Sequence, residues 1–246
     1  MFSTATGEAL WSITQINDAS INMASETSEV VDAVGNKITE FDRSKSCEIS
    51  GSNALWDLDL SAAQWGSEKN VATESNIIKA PAYEQLRITN GQVVLKHVPV
   101  GTAGAEIKWI YKLNDDSSLG QKYGLSSAAS ATEFALDAAN KTITTPTGLT
   151  GNIAVFYDYN STEAIEIHNN AVDFPKAGRF HLEVLGKDTC NPTEVYVATI
   201  VFPNAKLKYD GDLGLQSDSG HPFTITCMQD YCDLEKRLFT CYVTND

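Results

Sequence analysis

Residues Ser52–Gly66, SNALWDLDLSAAQWG, form the one stretch of this sequence with a clear helical pattern. Ser52 or Asn53 can cap the amino end of a helix over about residues 53–65, and Gly66 can end it. At about 100° per residue, the apolar side chains of this helix fall on two separate faces. The first face carries Leu55, Leu58, Ala62 and Trp65, and the second face carries Trp56, Leu60 and Ala63.

The two apolar faces leave two interpretations of this helix open. A helix that packs on one sheet needs only one apolar stripe. In the first interpretation, both faces are covered by the same chain. In the second, the face that carries Leu58 and Trp65 packs on a sheet, whereas Trp56, Leu60 and Ala63 contact a second subunit.

Short apolar runs separated by turn residues dominate the rest of the chain, which is typical of a β-sandwich or a β-barrel. Gly35-Asn36 and Asn90-Gly91 are typical hairpin turns, because Gly and Asn tolerate positive φ. Glu194–Phe202 is apolar on both of its alternating faces, which predicts a central strand. We therefore expect a mainly all-β fold with one flanking helix and long loops. Further predicted strands are Tyr83–Ile88, Gln92–Val98, Glu106–Leu113, Asn152–Tyr159, Arg179–Leu185, Leu213–Gln216, Phe223–Met228 and Arg237–Val243.

The length of 246 residues suits one large β domain. We expect residues 1–246 to form a single domain with an elaborated insertion or loop region over about residues 67–131. Within that region, Asn114–Ala131 is rich in Gly, Ser and Ala, which predicts a long loop. Long loops in compact domains are commonly functional or involved in contacts. The candidate contact residues in this loop are Asn114, Asp115, Asp116 and Tyr123.

The net charge of −14 argues against a surface that grips nucleic acid or an anionic membrane. No apolar run approaches the ~18 residues of a membrane span. The amino terminus shows neither the basic nor the apolar region of a secretory signal. The five cysteines are an odd number without paired spacing. This pattern predicts reduced thiols and assembly in a reducing cytoplasm.

Motifs that carry chemistry are scarce, so we expect no enzymatic activity, no cofactor and no metal. The sequence contains no Gly-x-Ser-x-Gly elbow, no phosphate loop and no His-Glu-x-x-His. Cys227, Cys232 and His221 supply at most three ligands of a zinc site. A carbohydrate-binding β-sandwich module is the alternative, and a hydrolase with a carboxylate pair comes third. The candidate sugar-stacking residues are Trp109, Tyr111, Tyr157 and Tyr159.

Three stretches, taken in order, resemble the major tail proteins of long-tailed bacteriophages, which build the tail tube. The first is Glu29–Ser67, EVVDAVGNKITEFDRSKSCEISGSNALWDLDLSAAQWGS, a hairpin and a polar strand followed by one helix. The second is Phe174–Leu185, FPKAGRFHLEVL. The third is Ala198–Asp230, ATIVFPNAKLKYDGDLGLQSDSGHPFTITCMQD, with a Pro-Asn-Ala-Lys connection and a returning Pro-Phe strand.

The resemblance implies a virion structural protein, the tail tube subunit, made in the host cytoplasm and located in the tail. Its protomers would close into hexameric rings that stack into a tube, and DNA would pass through without specific binding. Its partners would be further copies of itself and other tail proteins. The second helix face would then contact a neighbouring subunit, and the Asn114–Ala131 loop would be ordered by the next ring. A capsid decoration or baseplate protein shares many of these sequence features.

Overall fold

The structure is a computed structural model that describes residues 1–187, 195–210 and 220–244. Cys190 and the predicted strand Leu213–Gln216 lie outside the described residues. The chain divides into two compact units. The main unit consists of residues 1–69 and 167–246, and the inserted unit consists of residues 70–166. The inserted unit therefore extends beyond the predicted insertion, which ends at about residue 131.

The described residues form sixteen strands and one helix, which confirms the expected all-β fold with a single helix. The elements are β1 (Ile16–Val31), β2 (Lys37–Asn53), α1 (Leu58–Trp65), β3 (Asn70–Val71), β4 (Ile78–Arg87), β5 (Gln92–Val94), β6 (Pro99–Val100), β7 (Trp109–Leu113), β8 (Leu119–Ser126), β9 (Glu133–Asp137), β10 (Thr142–Thr144), β11 (Asn152–Ser161), β12 (Ile165–Glu166), β13 (Ala177–Lys187), β14 (Val195–Leu207), β15 (His221–Cys227) and β16 (Thr240–Thr244).

The main unit is built on an antiparallel sheet in the order β1-β2-β15-β14-β13, and β16 also pairs with β14. Strand β14 has neighbours on both sides, which confirms the predicted central strand. Residues of β15 alternate between buried and half-buried, because one face of the strand covers the core. The largest fully buried side chains of this core are Ile49, Leu60, Phe202, Leu207, Phe223 and Ile225.

The inserted unit contains an eight-stranded sheet in the order β4-β11-β7-β8-β9-β10-β5, and β6 also pairs with β11. Strands β3 and β12 form a separate two-stranded sheet. The Glu84 carboxylate of β4 accepts hydrogen bonds from the Lys96 N–H at 3.1 and 3.2 Å. Lys96 follows β5, so these bonds link the two ends of the sheet into a barrel-like arrangement. The largest fully buried side chains inside it are Leu95, Ile107, Ile110, Phe134, Ile143 and Ile153.

The Asn90-Gly91 turn forms, but the hairpin predicted around it is wrong. Both residues have positive φ, 52° and 74°, and Thr89 and Gln92 bridge the turn. Beyond that bridge the two flanking strands do not form a ladder with each other, because β4 pairs with β11 and β5 pairs with β10. A local turn signal fixes the chain reversal and does not fix the partner of each strand.

The long loop predicted over Asn114–Ala131 is also wrong in part, because Leu119–Ser126 forms β8. This strand pairs with β7 on one side and with β9 on the other. Its glycines suit a strand that is closely approached by its neighbours. A Cβ at Gly124 would lie 3.2 Å from the Trp109 ring, so glycine makes room for that ring.

The helix begins later than predicted, at Leu58 and not at about residue 53. Ser52 and Asn53 cannot cap it, because both belong to β2 and pair with Pro222 and His221 of β15. Asp57 is the actual cap, and its carboxylate accepts a hydrogen bond from the Leu60 N–H at 2.8 Å. The predicted end is confirmed, since Gly66 adopts the left-handed conformation with φ of 69°.

Candidate subunit interface

The three helix residues predicted to contact a second subunit lie in different environments. Trp56 precedes the helix with 55% of its surface exposed, and its indole N–H donates to the Ser61 hydroxyl at 2.8 Å. Leu60 is fully buried in the core of the main unit. Ala63 is half-buried against the same core. Of the three residues, Trp56 alone therefore presents a large apolar surface to a partner.

The first face of the helix was also assigned wrongly in part. Leu55 lies before the helix and is exposed, and Leu58 is only half-buried. The buried helix residues are Leu60, Ser61 and Ala62. The side of the helix that meets the core is therefore centred near Ser61, between the two predicted stripes.

His221 of β15 fixes the amino end of the helix to the sheet. Its Nδ1 accepts a hydrogen bond from the Asp57 N–H at 3.2 Å, so the Nε2 carries the proton and donates to the Gln64 Oε1 at 2.8 Å. The Gln64 amide in turn donates to the Pro222 carbonyl at 2.8 Å. Burial lowers the pKa of His221, and the nearby Asp57 charge opposes this shift. The arrangement requires a neutral imidazole.

We expect the stability of the protein to fall as the pH is lowered from 7 to 5. In the unfolded chain, His221 takes up a proton near its ordinary pKa of about 6.5. In the folded chain the pKa of His221 is lowered, so protonation requires a lower pH. The stabilisation that the neutral His221 gives to the folded chain is therefore fully present above pH 6.5. It is lost as the pH falls towards the lowered pKa of the folded chain. Urea unfolding at several pH values should show a smaller loss in His221→Gln than in the parent chain.

His181 provides the internal comparison for this measurement. Burial and then the Arg179 charge lower its pKa as well, so it contributes to the same pH range. The doubly substituted chain, His181→Gln with His221→Gln, should lose less stability between pH 7 and 5 than His221→Gln alone. Some pH dependence remains, because burial also lowers the pKa of the Met1 amino group. Identical pH profiles for the parent chain and His221→Gln would contradict the role given to His221.

The hairpin of β1 and β2 is much longer than the sequence suggested. The sequence predicted a two-residue turn at Gly35-Asn36 between short strands, but the strands are 16 and 17 residues long. The turn spans residues 32–36, and the Asp32 carboxylate accepts from the N–H groups of Val34 and Asn36 at 2.9 and 2.8 Å. These bonds, first those from Asn36, lower the pKa of Asp32. The signal that was missed is the absence of Gly and Pro from residues 16–31 and 37–50.

Residues 24–46 form the distal part of this hairpin. Strand β15 pairs with β2 only over residues 47–53, so within the part of the chain that the structure describes the two strands of the distal hairpin pair only with each other. Of its residues, all but Ser28 and Asp32 are exposed. A two-stranded hairpin without further cover is marginally stable in water. The distal hairpin therefore gains order from any partner that covers it.

The distal hairpin carries several exposed apolar side chains. Phe41 lies opposite Ser28 and Val30 lies opposite Thr39, so Phe41 and Val30 share one face. Phe41 is 58% exposed and Val30 is 42% exposed. Val31, Val34 and Ile38 are also exposed. Exposed apolar clusters of this kind are typical of protein interaction sites.

The sheet of the main unit ends in β1 on one side and in β13 on the other. Among the described residues, β1 pairs only with β2, and β13 pairs with β14 and with a single bridge from Phe2 to Arg179. Each outer edge therefore presents backbone N–H and C=O groups to its surroundings. Such edges are templates for pairing with another chain.

The four residues predicted to contact a stacked ring lie in two different places. Asn114, Asp115 and Asp116 form the exposed turn between β7 and β8, where the Asp116 carboxylate accepts from the Ser118 N–H at 3.0 Å. Tyr123 lies in β8 opposite Ile110 and is buried in the inserted unit. The turn stays available for a contact, whereas Tyr123 belongs to the core.

The described residues contain no group of three or more His, Cys, Asp or Glu side chains arranged to hold a metal ion. Cys47 and Cys227 lie opposite each other in β2 and β15, and burial raises the pKa of both thiols. Cys232 is exposed, and both ring nitrogens of His221 are already hydrogen-bonded. No helix in the described part of the chain has the length and apolar character of a membrane span.

Comparison with known proteins gives one family match. The model of the YomU/Tube protein family matches residues 1–236 of this chain. A search of curated proteins finds no match. The family match confirms the resemblance to phage tail tube proteins.

Proposed function

Because the chain belongs to the YomU/Tube protein family, we propose that it is the structural subunit of a bacteriophage tail tube. Copies of the chain join side by side into closed rings, and the rings stack into a tube that carries DNA. The protein performs no catalysis in this role. It resides in the tail of the virion, contacts other tail proteins at the tube ends and is assembled in the host cytoplasm.

The observation that carries this proposal is the distal hairpin. It extends over residues 24–46 and exposes Phe41 and Val30 on one face, and among the described residues its two strands pair only with each other. A ribbon of this kind is marginal alone and exposes apolar surface to water, which costs free energy. A second copy that covers the hairpin would stabilise the ribbon and would remove its apolar surface from water. The hairpin therefore favours a chain that functions as a polymer.

The two free sheet edges support a ring. Edges β1 and β13 are different surfaces at opposite ends of one sheet. Pairing β1 of one copy with β13 of the next is a head-to-tail contact, and such contacts close into rings when the rotation per subunit allows it. Ring closure also removes the exposed edges, which are otherwise prone to aggregation. We take each ring to contain six subunits, because the resemblance to tail proteins implies hexameric rings.

The charge of the chain suits a DNA conduit. A tube wall rich in Lys and Arg would bind phosphates and release counterions, which would hold the DNA in place. The net charge of −14 has the sign that avoids such binding. DNA is therefore expected to pass through the tube without a specific site.

Negative-stain electron microscopy and sedimentation velocity of the purified chain test this proposal. We expect rings or tubes at high protein concentration, and monomers when the protein is diluted. In a second set of samples, a purified tail-initiation complex is added to nucleate assembly, since polymers of this kind can require a template. A chain that stays monomeric at every concentration, and that the initiation complex does not recruit, would rule the proposal out.

A further inference from the structure

Three neighbouring strands of the inserted unit carry aromatic residues on the outer face of the sheet. Tyr83 of β4 lies directly opposite Phe156 of β11. Trp109 of β7 is adjacent to Ile110, which lies opposite Val155, and Trp109 lines the same groove as Tyr83 and Phe156. Tyr83, Phe156 and Trp109 thus form one row across the sheet, here called the aromatic row. Residues that are 73 positions apart in sequence become neighbours through strand pairing.

The aromatic row is not part of the core. Tyr83 is 49% exposed, and Phe156 and Trp109 are each 46% exposed. The core lies on the opposite side of the same strands, where Ile110 and Val155 are fully buried. A surface that exposes three adjacent aromatic side chains is unfavourable in water unless a partner covers it.

The rings of the aromatic row are held in place by their neighbours. The Tyr83 and Phe156 rings stack with centroids 4.8 Å apart. The Gln85 amide donates to the Tyr83 hydroxyl at 2.6 Å. The Lys122 Nζ lies 4.2 Å from the centroid of the Trp109 ring. These contacts reduce the conformational freedom that binding would otherwise remove.

The aromatic row borders a groove of about 990 Å³ that lies entirely within the inserted unit. This volume is at the upper end of the range for small-molecule sites. The opposite wall is formed by residues 100–106. Four charged side chains line the groove, namely Lys79, Glu106, Lys108 and Asp158.

The charges beside the aromatic row nearly balance. Lys79 pairs with Asp158 at 2.8 Å, Glu106 and Lys108 contribute one charge of each sign, and Lys122 over the Trp109 ring adds one positive charge. A nucleic acid needs a basic groove beside the aromatic residues, which this lining does not supply. The groove matches an uncharged occupant.

We propose that this groove binds a neutral polysaccharide. The C–H faces of sugar rings pack on the aromatic row, and sugar hydroxyl groups hydrogen-bond to the paired charges of Lys79 and Asp158. This function goes beyond the tube, because neither ring closure nor stacking requires a sugar. Polysaccharide binding would give the virion weak, repeated contacts with a cell surface, and a polymer of subunits multiplies such contacts.

The sugar-stacking residues predicted from sequence need correction. Trp109 lies in the aromatic row and Tyr111 beside it, with its ring edge-on to Phe156 at 6.1 Å. Tyr157 points inward and is buried, and its hydroxyl donates to Glu84. Tyr159 stacks on His97 and packs against the core. The sequence had no means of grouping Tyr83 and Phe156 with Trp109, because strand pairing creates that row.

Affinity electrophoresis of the full-length chain tests the proposal. Native gels contain soluble neutral polysaccharides (laminarin, xylan, galactomannan and hydroxyethyl cellulose), and chitin and cellulose beads serve as insoluble probes. At least one neutral polysaccharide should retain the parent chain. We expect Phe156→Ala to weaken that retention at least about tenfold, since aromatic residues commonly dominate such contacts.

Two variants control for folding and for nonspecific adsorption. Phe156→Tyr keeps the ring and should bind like the parent chain. Tyr231→Ala removes an aromatic residue that is 80% exposed in the main unit, outside the groove, and should also bind like the parent chain. Melting temperatures show whether Phe156→Ala is folded. If it is not, Trp109→Ala and Lys79→Ala report on the same groove.

Three results would overturn the proposal. The first is that no neutral polysaccharide retains the parent chain, and the second is that the aromatic-row variants bind like the parent chain. The third is that these variants change the polymer seen by sedimentation without any sugar binding, which would make the row a subunit contact. Failure of the tube proposal is separate, because it is judged by polymer formation in the absence of polysaccharide.

Discussion

Replacing Glu26–Ser44 with an Asn-Gly turn is expected to abolish assembly and to leave the main unit folded. Ser25 and Lys45 lie directly opposite each other, so a two-residue turn joins them without changing the register. The removed residues are absent from the core, so the melting temperature of the monomer should change by only a few degrees. Rings and tubes should disappear from electron micrographs.

Point substitutions on the distal hairpin give the matched comparison. Phe41→Ser and Val30→Ser alter the shared apolar face, and we expect each to weaken association about tenfold or more. Asp42→Ser alters the neighbouring residue, whose side chain points to the other face, and should have a smaller effect. A shortened hairpin that still forms tubes at the parent concentration would mean that subunits join through other surfaces.

The second large effect is expected for Leu60→Ala, which removes a fully buried side chain from the core of the main unit. Truncating a buried leucine typically costs about 2–5 kcal/mol, because apolar contact is lost and a cavity remains. A domain has only about 5–15 kcal/mol of stability. We therefore expect the melting temperature of the diluted monomer to fall by about 5–20 °C in calorimetry.

Trp56→Ala is the matched variant for this measurement, since Trp56 lies only four residues away and is half exposed. The monomer loses the hydrogen bond to Ser61, which is worth about 0.5–1.5 kcal/mol. Assembly should weaken more than this loss explains if the ring contacts a neighbouring subunit. Equal melting temperatures for Leu60→Ala and the parent chain would contradict the buried position of Leu60.

Much of the fold could be predicted from the sequence, because short-range physics determines it. Alternating apolar residues and frequent turns predicted the all-β class. Glu194–Phe202 predicted a central strand because it is apolar on both faces, and β14 has neighbours on both sides. Gly66 predicted the end of the helix because glycine adopts positive φ without strain. The order of the hairpin, helix and returning strands was enough to indicate the tail tube family.

Tertiary structure alone decided which residues pair and which faces are covered. Asn53 could cap a helix by its chemistry, but pairing with His221 drew it into β2 and moved the cap to Asp57. Leu60 was assigned to a partner, yet the sheet beneath the helix buries it.

Tertiary structure also decided the aromatic row and the exposure of the distal hairpin. Tyr83, Phe156 and Trp109 become one surface through ladders between strands that are distant in sequence. The distal hairpin is uncovered because β15 stops pairing with β2 at Cys47. A sequence pattern specifies the local conformation and its period. The free energy that selects a buried face comes from partners that only the folded chain brings together.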